Sequence, residues 1–92
     1  LSDKASRVPI FGLGCAGGVS GLATAARLAA AQPGSRWLFV CVETCSISIR
    51  LDTDDPAALV ATALFGDGAA AAVVSTGGDG LAAITGAGER LW

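Results

Sequence analysis

"PIFGLGCAGGVSGLATAARLAA", residues 9–30, decides how the rest of the chain is read. It sets Cys15 among glycines and follows them with a long alanine-rich run. From Gly18 to Gln32 the spacing is helical: Val19, Leu22, Ala26 and Ala29 fall on one side, and Ser20, Thr24 and Arg27 form a polar stripe at i, i+4 and i+7. Pro33 cannot continue the helix and Gly34 is free to turn, so "QPGS" stops it. Ahead of the glycines, "VPIFGL" (8–13) reads as a short apolar strand that Pro9 confines to an edge or a late start.

Such a glycine-rich entry to a helix admits more than one chemistry. Gly12-Leu13-Gly14-Cys15-Ala16-Gly17 satisfies G-x-G-x-x-G, the pattern in which a helix N-terminus holds a pyrophosphate. The acidic residue for the ribose would be Glu43, which lies 26 positions after Gly17, beyond the usual separation of about 20. The second reading makes Cys15 a nucleophile. Unpaired N–H groups at a helix start carry partial positive charge, which favours a thiolate. Small neighbours leave the sulfur open to a bulky acyl donor, and a thiolate that attacks and leaves well suits acyl transfer. The third makes Cys15 a small buried hydrophobe, as most free cysteines are. Spacing alone leaves the last two balanced.

Beyond the first helix, "RWLFVCVE" (36–43) is a continuous apolar run of strand length, the pattern of a strand covered on both faces. "TCSISIRL" (44–51) alternates apolar and polar residues and reads as extended. A second helix is expected with Asp54 or Asp55 as N-cap, Pro56 at its first position and an end near Leu64. "FGDG" (65–68) turns the chain, "AAAAVVS" (69–75) makes a strand, "GGDG" (77–80) turns again, and "LAAIT" (81–85) offers one more strand. The order strand, helix, strand, helix, strand points to an α/β layered fold. Its many alanines and glycines imply close helix-to-sheet contact.

Hydrophobic residues make up 52% of the 92 and charged residues only 15%. A small free-standing domain needs a larger charged coat than this. With Leu1 at one end and Leu91-Trp92 at the other, the chain reads as an internal fragment, incomplete at both ends, of a larger and mostly buried α/β domain. A deliberate mini-protein is the alternative. No apolar run approaches the ~18–20 residues that span a bilayer, and no basic-then-apolar leader points to secretion. A net charge of −2 without a Lys/Arg cluster argues against a nucleic-acid surface. Three cysteines, an odd number, fit reduced thiols in a cytoplasmic protein better than a disulfide frame. Cys41 and Cys45 fall short of the about four soft ligands that a structural metal needs, and there is no His. Asp52, Asp54 and Asp55 are explained by capping and the helix dipole. Trp37 and Phe39 are core or interface residues by default. Glu43 is either paired and structural, the favoured reading, or part of a cavity wall.

Three collinear stretches carry a family resemblance: "FGLGCAGGVSGLATAARL" (11–28), "VCVETCSISIRLD" (40–52) and "LVATALFGDGAAAAVV" (59–74). Together they resemble type III polyketide synthases, the chalcone and stilbene synthase-like enzymes, in their bacterial form. The likeness runs from about residue 7 to 92 and includes "ITGAGERLW" (84–92). Other thiolase-fold condensing enzymes share the "FGDGA" turn and a Cys at a helix start, whereas "GCAGG" and "ETCS" lean to the type III group.

The resemblance implies a thiolase-like layered α/β fold, of which residues 1–92 form part of the N-terminal condensing domain. It implies that Cys15 is the acyl-accepting nucleophile, that Cys45 and Ser48 line the pocket for the starter unit, and that Phe65 is an aromatic gate between that pocket and the coenzyme A tunnel. Simple alternation would put Cys45 and Ser48 on opposite faces, so a shared cavity requires the segment to bend. Gly66, Asp67 and Gly68 read as turn chemistry, the glycines for unusual dihedrals and Asp67 for local hydrogen bonds. The implied reaction takes an acyl group from an acyl-CoA starter and extends it by decarboxylative Claisen condensation with malonyl-CoA, in a homodimer, without cofactor or metal. The family uses a His and an Asn for decarboxylation, and this sequence contains neither, so the 92 residues alone are expected to be inactive. The rivals are a ketoacyl synthase III-like enzyme of fatty-acid initiation and a non-catalytic remnant that keeps only the fold.

Overall fold

A computed structural model describes residues 2–49 and 54–90. Asp52, and the end of the extended segment expected over 44–51, lie outside the described residues. Helix α1 runs Ala16–Ala31, strand β1 Arg36–Glu43, a 3-10 turn Cys45–Ser48, helix α2 Pro56–Leu64 and strand β2 Gly68–Ser75. The two strands pair as a two-stranded sheet. The chain divides into two compact units, Leu1–Phe39 with Val73–Trp92, and Val40–Ala72.

In the first unit α1 starts two residues earlier than its spacing suggests, taking in Ala16 and Gly17. It ends as expected. The Gln32 N–H reaches the carbonyls of Leu28 and Ala29, Gly34 turns at φ +86°, and Ser35 N–H donates to the Gln32 carbonyl at 3.0 Å. The buried residues are Gly21, Ala23, Ala25 and Ala29. Val19, expected on the covered side, is 72% exposed. The reason is what the helix packs on: a Cβ added to Gly21 would lie 2.7 Å from Cε2 of Phe39 and 3.4 Å from Cδ1 of Ile10. The ring of Phe39 admits only small residues opposite it, so the small row turns inward and the large side chain turns out.

The polar stripe of α1 has partners. Thr24 Oγ1 donates to the Ser20 carbonyl at 2.9 Å. Arg27 Nη1 lies 3.2 Å from Glu89 Oε2. Ser20 and Arg27 both hydrogen bond the Glu89 carboxylate and, with the Arg27 charge, hold its pKa below the usual carboxylate value. The "GAGE" segment is thus tied to the helix.

Strand β1 coincides with the expected run, but only one face is covered. Trp37, Phe39 and Cys41 are half-buried, while Leu38, Val40 and Val42 are exposed. Among the described residues no layer lies over that second face, so the burial expected on both sides is seen on one. The strands expected at 8–13 and 81–85 are not formed. A strand exists through its hydrogen-bonded neighbour. Neither segment pairs with one among the described residues, and Pro9 has no N–H to give.

The second unit contains α2, opened as expected at Asp55, whose side chain accepts the Ala57 N–H at 3.0 Å, with Pro56 at the first helical position. The segment after β1 departs most from its pattern, coiling into a four-residue 3-10 turn where alternation suggested an extended chain. Gly66 and Gly68 do not take the positive φ expected of them; that conformation belongs to Gly12, Gly14, Gly34, Gly77 and Gly78. The expected strand-helix-strand-helix-strand order therefore becomes helix, strand, 3-10 turn, helix, strand, still α/β in class. No helix among the described residues is long and apolar enough to cross a membrane.

Candidate active site

Cys15 is the N-cap residue of α1, with φ −61° and ψ −20°. The turn before it rests on two left-handed glycines, Gly12 at φ +82° and Gly14 at φ +56°, where a residue with a Cβ would be strained. The N–H of Ala16 donates to the Leu13 carbonyl at 3.2 Å and that of Gly17 to the Gly14 carbonyl at 3.0 Å. These bonds curl the chain so that the thiol stands at the head of the helix. It is exposed and makes no side-chain cap bond to α1. Among the described residues nothing covers Cys15. The dinucleotide reading loses its frame: coil, not a strand, precedes Gly12, so the strand-turn-helix that seats a pyrophosphate is missing.

In the second unit, Glu43, Cys45, Ser48, Ile49, Ala58, Ala61, Thr62 and Phe65 surround an open cavity of about 210 Å³. Three of these, Cys45, Ser48 and Phe65, are the residues for which the resemblance implied a shared pocket. The 3-10 turn brings the first two together. It completes a turn every three residues, so side chains at i and i+3 eclipse, and positions 45 and 48 face the same way. The other wall is a face of α2 continued by its C-cap: positions 58, 61, 62 and 65 follow i, i+3, i+4 and i+7. That periodicity was available in the sequence and would have picked out Ala58, Ala61 and Thr62. Glu43, favoured as structural, is exposed and lines this cavity, its Oε1 accepting the Thr44 N–H at 3.2 Å.

Asp67 was expected to bond locally and does not. Its Oδ1 accepts the Ser46 N–H at 2.7 Å and its Oδ2 accepts the Ser46 hydroxyl at 2.5 Å, across 21 positions of sequence. These two bonds hold the Asp67 carboxyl below the usual value, against the opposing effect of desolvation. Cys45 moves the other way. Desolvation, a hydrogen bond to Glu43 and the negative charges of Glu43 and Asp67 raise its thiol above the ordinary value, and a backbone hydrogen bond from Gly66 only partly offsets them. Among the described residues there is no group of three or more His, Cys, Asp or Glu that could hold a metal ion.

The structure thus offers an α/β chain with an exposed cysteine at a helix start in one unit and, in the other, an open cavity walled by a 3-10 turn and a helix face. Comparisons with known proteins give the family. Residues 1–79 match the family model for chalcone and stilbene synthases, N-terminal domain, and the chain belongs to that family.

The 1,3,6,8-tetrahydroxynaphthalene synthase of Streptomyces peucetius subsp. caesius is 49% identical over 73 residues, covering 79% of this chain and 19% of that protein. Type III polyketide synthase 21 of Oryza sativa subsp. japonica is 46% identical over 78 residues, covering 84% and 20%. Type III polyketide synthase C of Arabidopsis thaliana is 45% identical over 75 residues, covering 80% and 20%. The chain thus spans about one fifth of the length of these relatives. No solved structure matches it.

Proposed function

We propose that this chain is the nucleophile-bearing part of a type III polyketide synthase. Cys15 Sγ attacks the thioester carbonyl of an acyl-CoA starter. The bond from that carbonyl to the coenzyme A sulfur breaks, coenzyme A leaves as the thiol, and the acyl group stays on Cys15. Malonyl-CoA then loses CO2, and the resulting enolate carbon attacks the acyl-cysteine carbonyl, releasing the Cys15 thiolate for another round. Decarboxylation falls to groups elsewhere in the full-length protein, since these 92 residues hold no His and no Asn. Cys45 and Ser48 line the space for the acyl group and Phe65 stands at its mouth. Coenzyme A thioesters serve directly, with no resident cofactor, in a cytoplasmic homodimer of thiolase-like layered fold.

The observation that supports this reading is the cavity, where residues from two separate motifs, Cys45 with Ser48 and Phe65, meet on one wall system. A raised thiol at Cys45 also suits a division of labour, with Cys15 accepting acyl groups and Cys45 only lining the space.

The test is acyl loading of the full-length protein. Hexanoyl-CoA should leave one hexanoyl group on the peptide containing Cys15, read by mass spectrometry, and Cys15→Ala should abolish it. Loading that persists in Cys15→Ala would refute the assignment. Condensation that requires malonyl-carrier protein and ignores malonyl-CoA would favour the ketoacyl synthase alternative.

A further inference from the structure

The segment after β1 is a place where local sequence and observed structure disagree. "TCSISI" alternates as an extended strand does, which would send Cys45 and Ser48 to opposite sides. In the fold it coils, and the backbone bonds at the two ends of the turn are long: Ile47 N–H to the Thr44 carbonyl is 3.3 Å and Ile49 N–H to the Ser46 carbonyl is 3.4 Å. Two short bonds at this turn come from elsewhere. Asp67, in the loop leading to β2, takes the Ser46 N–H at 2.7 Å and its hydroxyl at 2.5 Å. Bonds to a carboxylate are the stronger kind, and two from one residue fix orientation as well as position.

The geometry of the turn makes this useful. Cys45 and Ser48 line the cavity while Ser46 and Ile47 do not, and Ile47 is 83% exposed. The clamp therefore grips the turn on a residue outside the cavity lining and leaves that lining free. Phe65, two positions before Asp67, belongs to the opposite wall, so one short loop carries both the gate residue and the fastening of the facing wall.

We propose that Asp67 is a positioning residue for the cavity: through Ser46 it holds residues 45–48 in the coiled form, and so sets which acyl groups the cavity accepts. The claim about acyl groups rests on the function proposed above; the clamp itself does not. Without Asp67 the segment relaxes toward its extended preference, Ser48 leaves the wall, and the cavity loses its shape on that side.

The experiment uses the full-length protein and two readouts. Hydrogen–deuterium exchange of peptides covering 44–49 reports the clamp. Asp67→Ala should speed exchange there about tenfold, the scale of losing a charge-assisted bond, while Asp67→Asn, which keeps an acceptor for Ser46, should restore most of the protection. The ratio of kcat/KM for hexanoyl-CoA to that for acetyl-CoA reports the positioning. It should shift about tenfold in Asp67→Ala and return toward the wild-type ratio in Asp67→Asn. Unchanged exchange in Asp67→Ala overturns the clamp. Faster exchange with an unchanged ratio overturns the positioning role. If Asp67→Ala does not fold, Ser46→Ala removes the hydroxyl bond alone and carries both measurements, with smaller shifts in the same directions. Acylation of Cys15 in the wild-type protein is scored separately, and its absence refutes the acyl-transfer reading while exchange still decides the clamp.

Discussion

Gly21 is the position where one methyl group is expected to reverse an ordinary rule. Replacing a helical glycine with alanine favours the helix by about 1 kcal/mol, because alanine has less backbone freedom to lose. At Gly17 that gain should be realised nearly in full, since the new Cβ would meet nothing nearer than Leu13 Cβ at 3.8 Å, an ordinary contact. At Gly21 the Cβ would stand 2.7 Å from Phe39 Cε2. Carbon atoms pack at about 3.5–4.0 Å, so the ring must retreat by roughly 0.8 Å. Forcing a methyl into a packed site costs about 1–3 kcal/mol, and Ile10 Cδ1 at 3.4 Å leaves little slack on the other side.

The net expectation for Gly21→Ala is a loss of about 0–2 kcal/mol, against a gain of up to about 1 kcal/mol for Gly17→Ala. Urea unfolding of the full-length protein measures both. A double-mutant cycle isolates the contact: in a Phe39→Leu background the penalty at Gly21 should shrink by about 1 kcal/mol. Equal stabilisation by the two glycine substitutions, or a penalty indifferent to residue 39, would refute the packing argument.

Other consequences follow from particular bonds. Asp55→Ala should cost about 1 kcal/mol of stability in urea unfolding, the usual value of an N-cap, because it removes the acceptor of the Ala57 N–H. Since Ser46 depresses the Asp67 pKa in the folded protein, the stabilisation it contributes is present above the unfolded-state value, near 4, and is lost as pH falls through the lower folded value. An acid unfolding curve of Asp67→Asn should lack that component. The thiol of Cys45 is raised by burial and by Glu43 and Asp67, so its alkylation by iodoacetamide should begin at a higher pH than that of a peptide cysteine. Glu43→Gln should bring the profile down, and an unchanged profile would deny the carboxylate its part.

The parts of this chain legible in sequence are those whose causes are local. Asp55 and Pro56 start α2 by capping and by a preset φ, so its boundary needed no tertiary information. The apolar run 36–43 formed the strand expected of it, and Pro33 with Gly34 ended α1 where the pattern said. The glycines before Cys15 likewise announced a turn onto a helix, and two of them adopt the left-handed conformation that only such residues take comfortably. For the candidate site, the α2 face at 58, 61, 62 and 65 could be found from spacing, whereas Cys15, Cys45, Ser48 and Phe65 were singled out by the family resemblance.

Tertiary structure decided the rest, because the deciding partner lay far along the chain. Strands at 8–13 and 81–85 needed neighbours to pair with, and apolar composition cannot supply one. Val19 yielded the covered face of α1 to Gly21 because of the Phe39 ring eighteen positions away. The alternating 44–49 segment coiled where a carboxylate 21 positions beyond Ser46 supplied two short bonds to it. Sequence by itself determined the α/β class, the cap of α2 and the stop of α1, each set by propensity and backbone stereochemistry within a few residues. Only the folded chain could say which faces meet and which side chains share a cavity, since those are settled by shape and charge between segments that sequence order keeps apart.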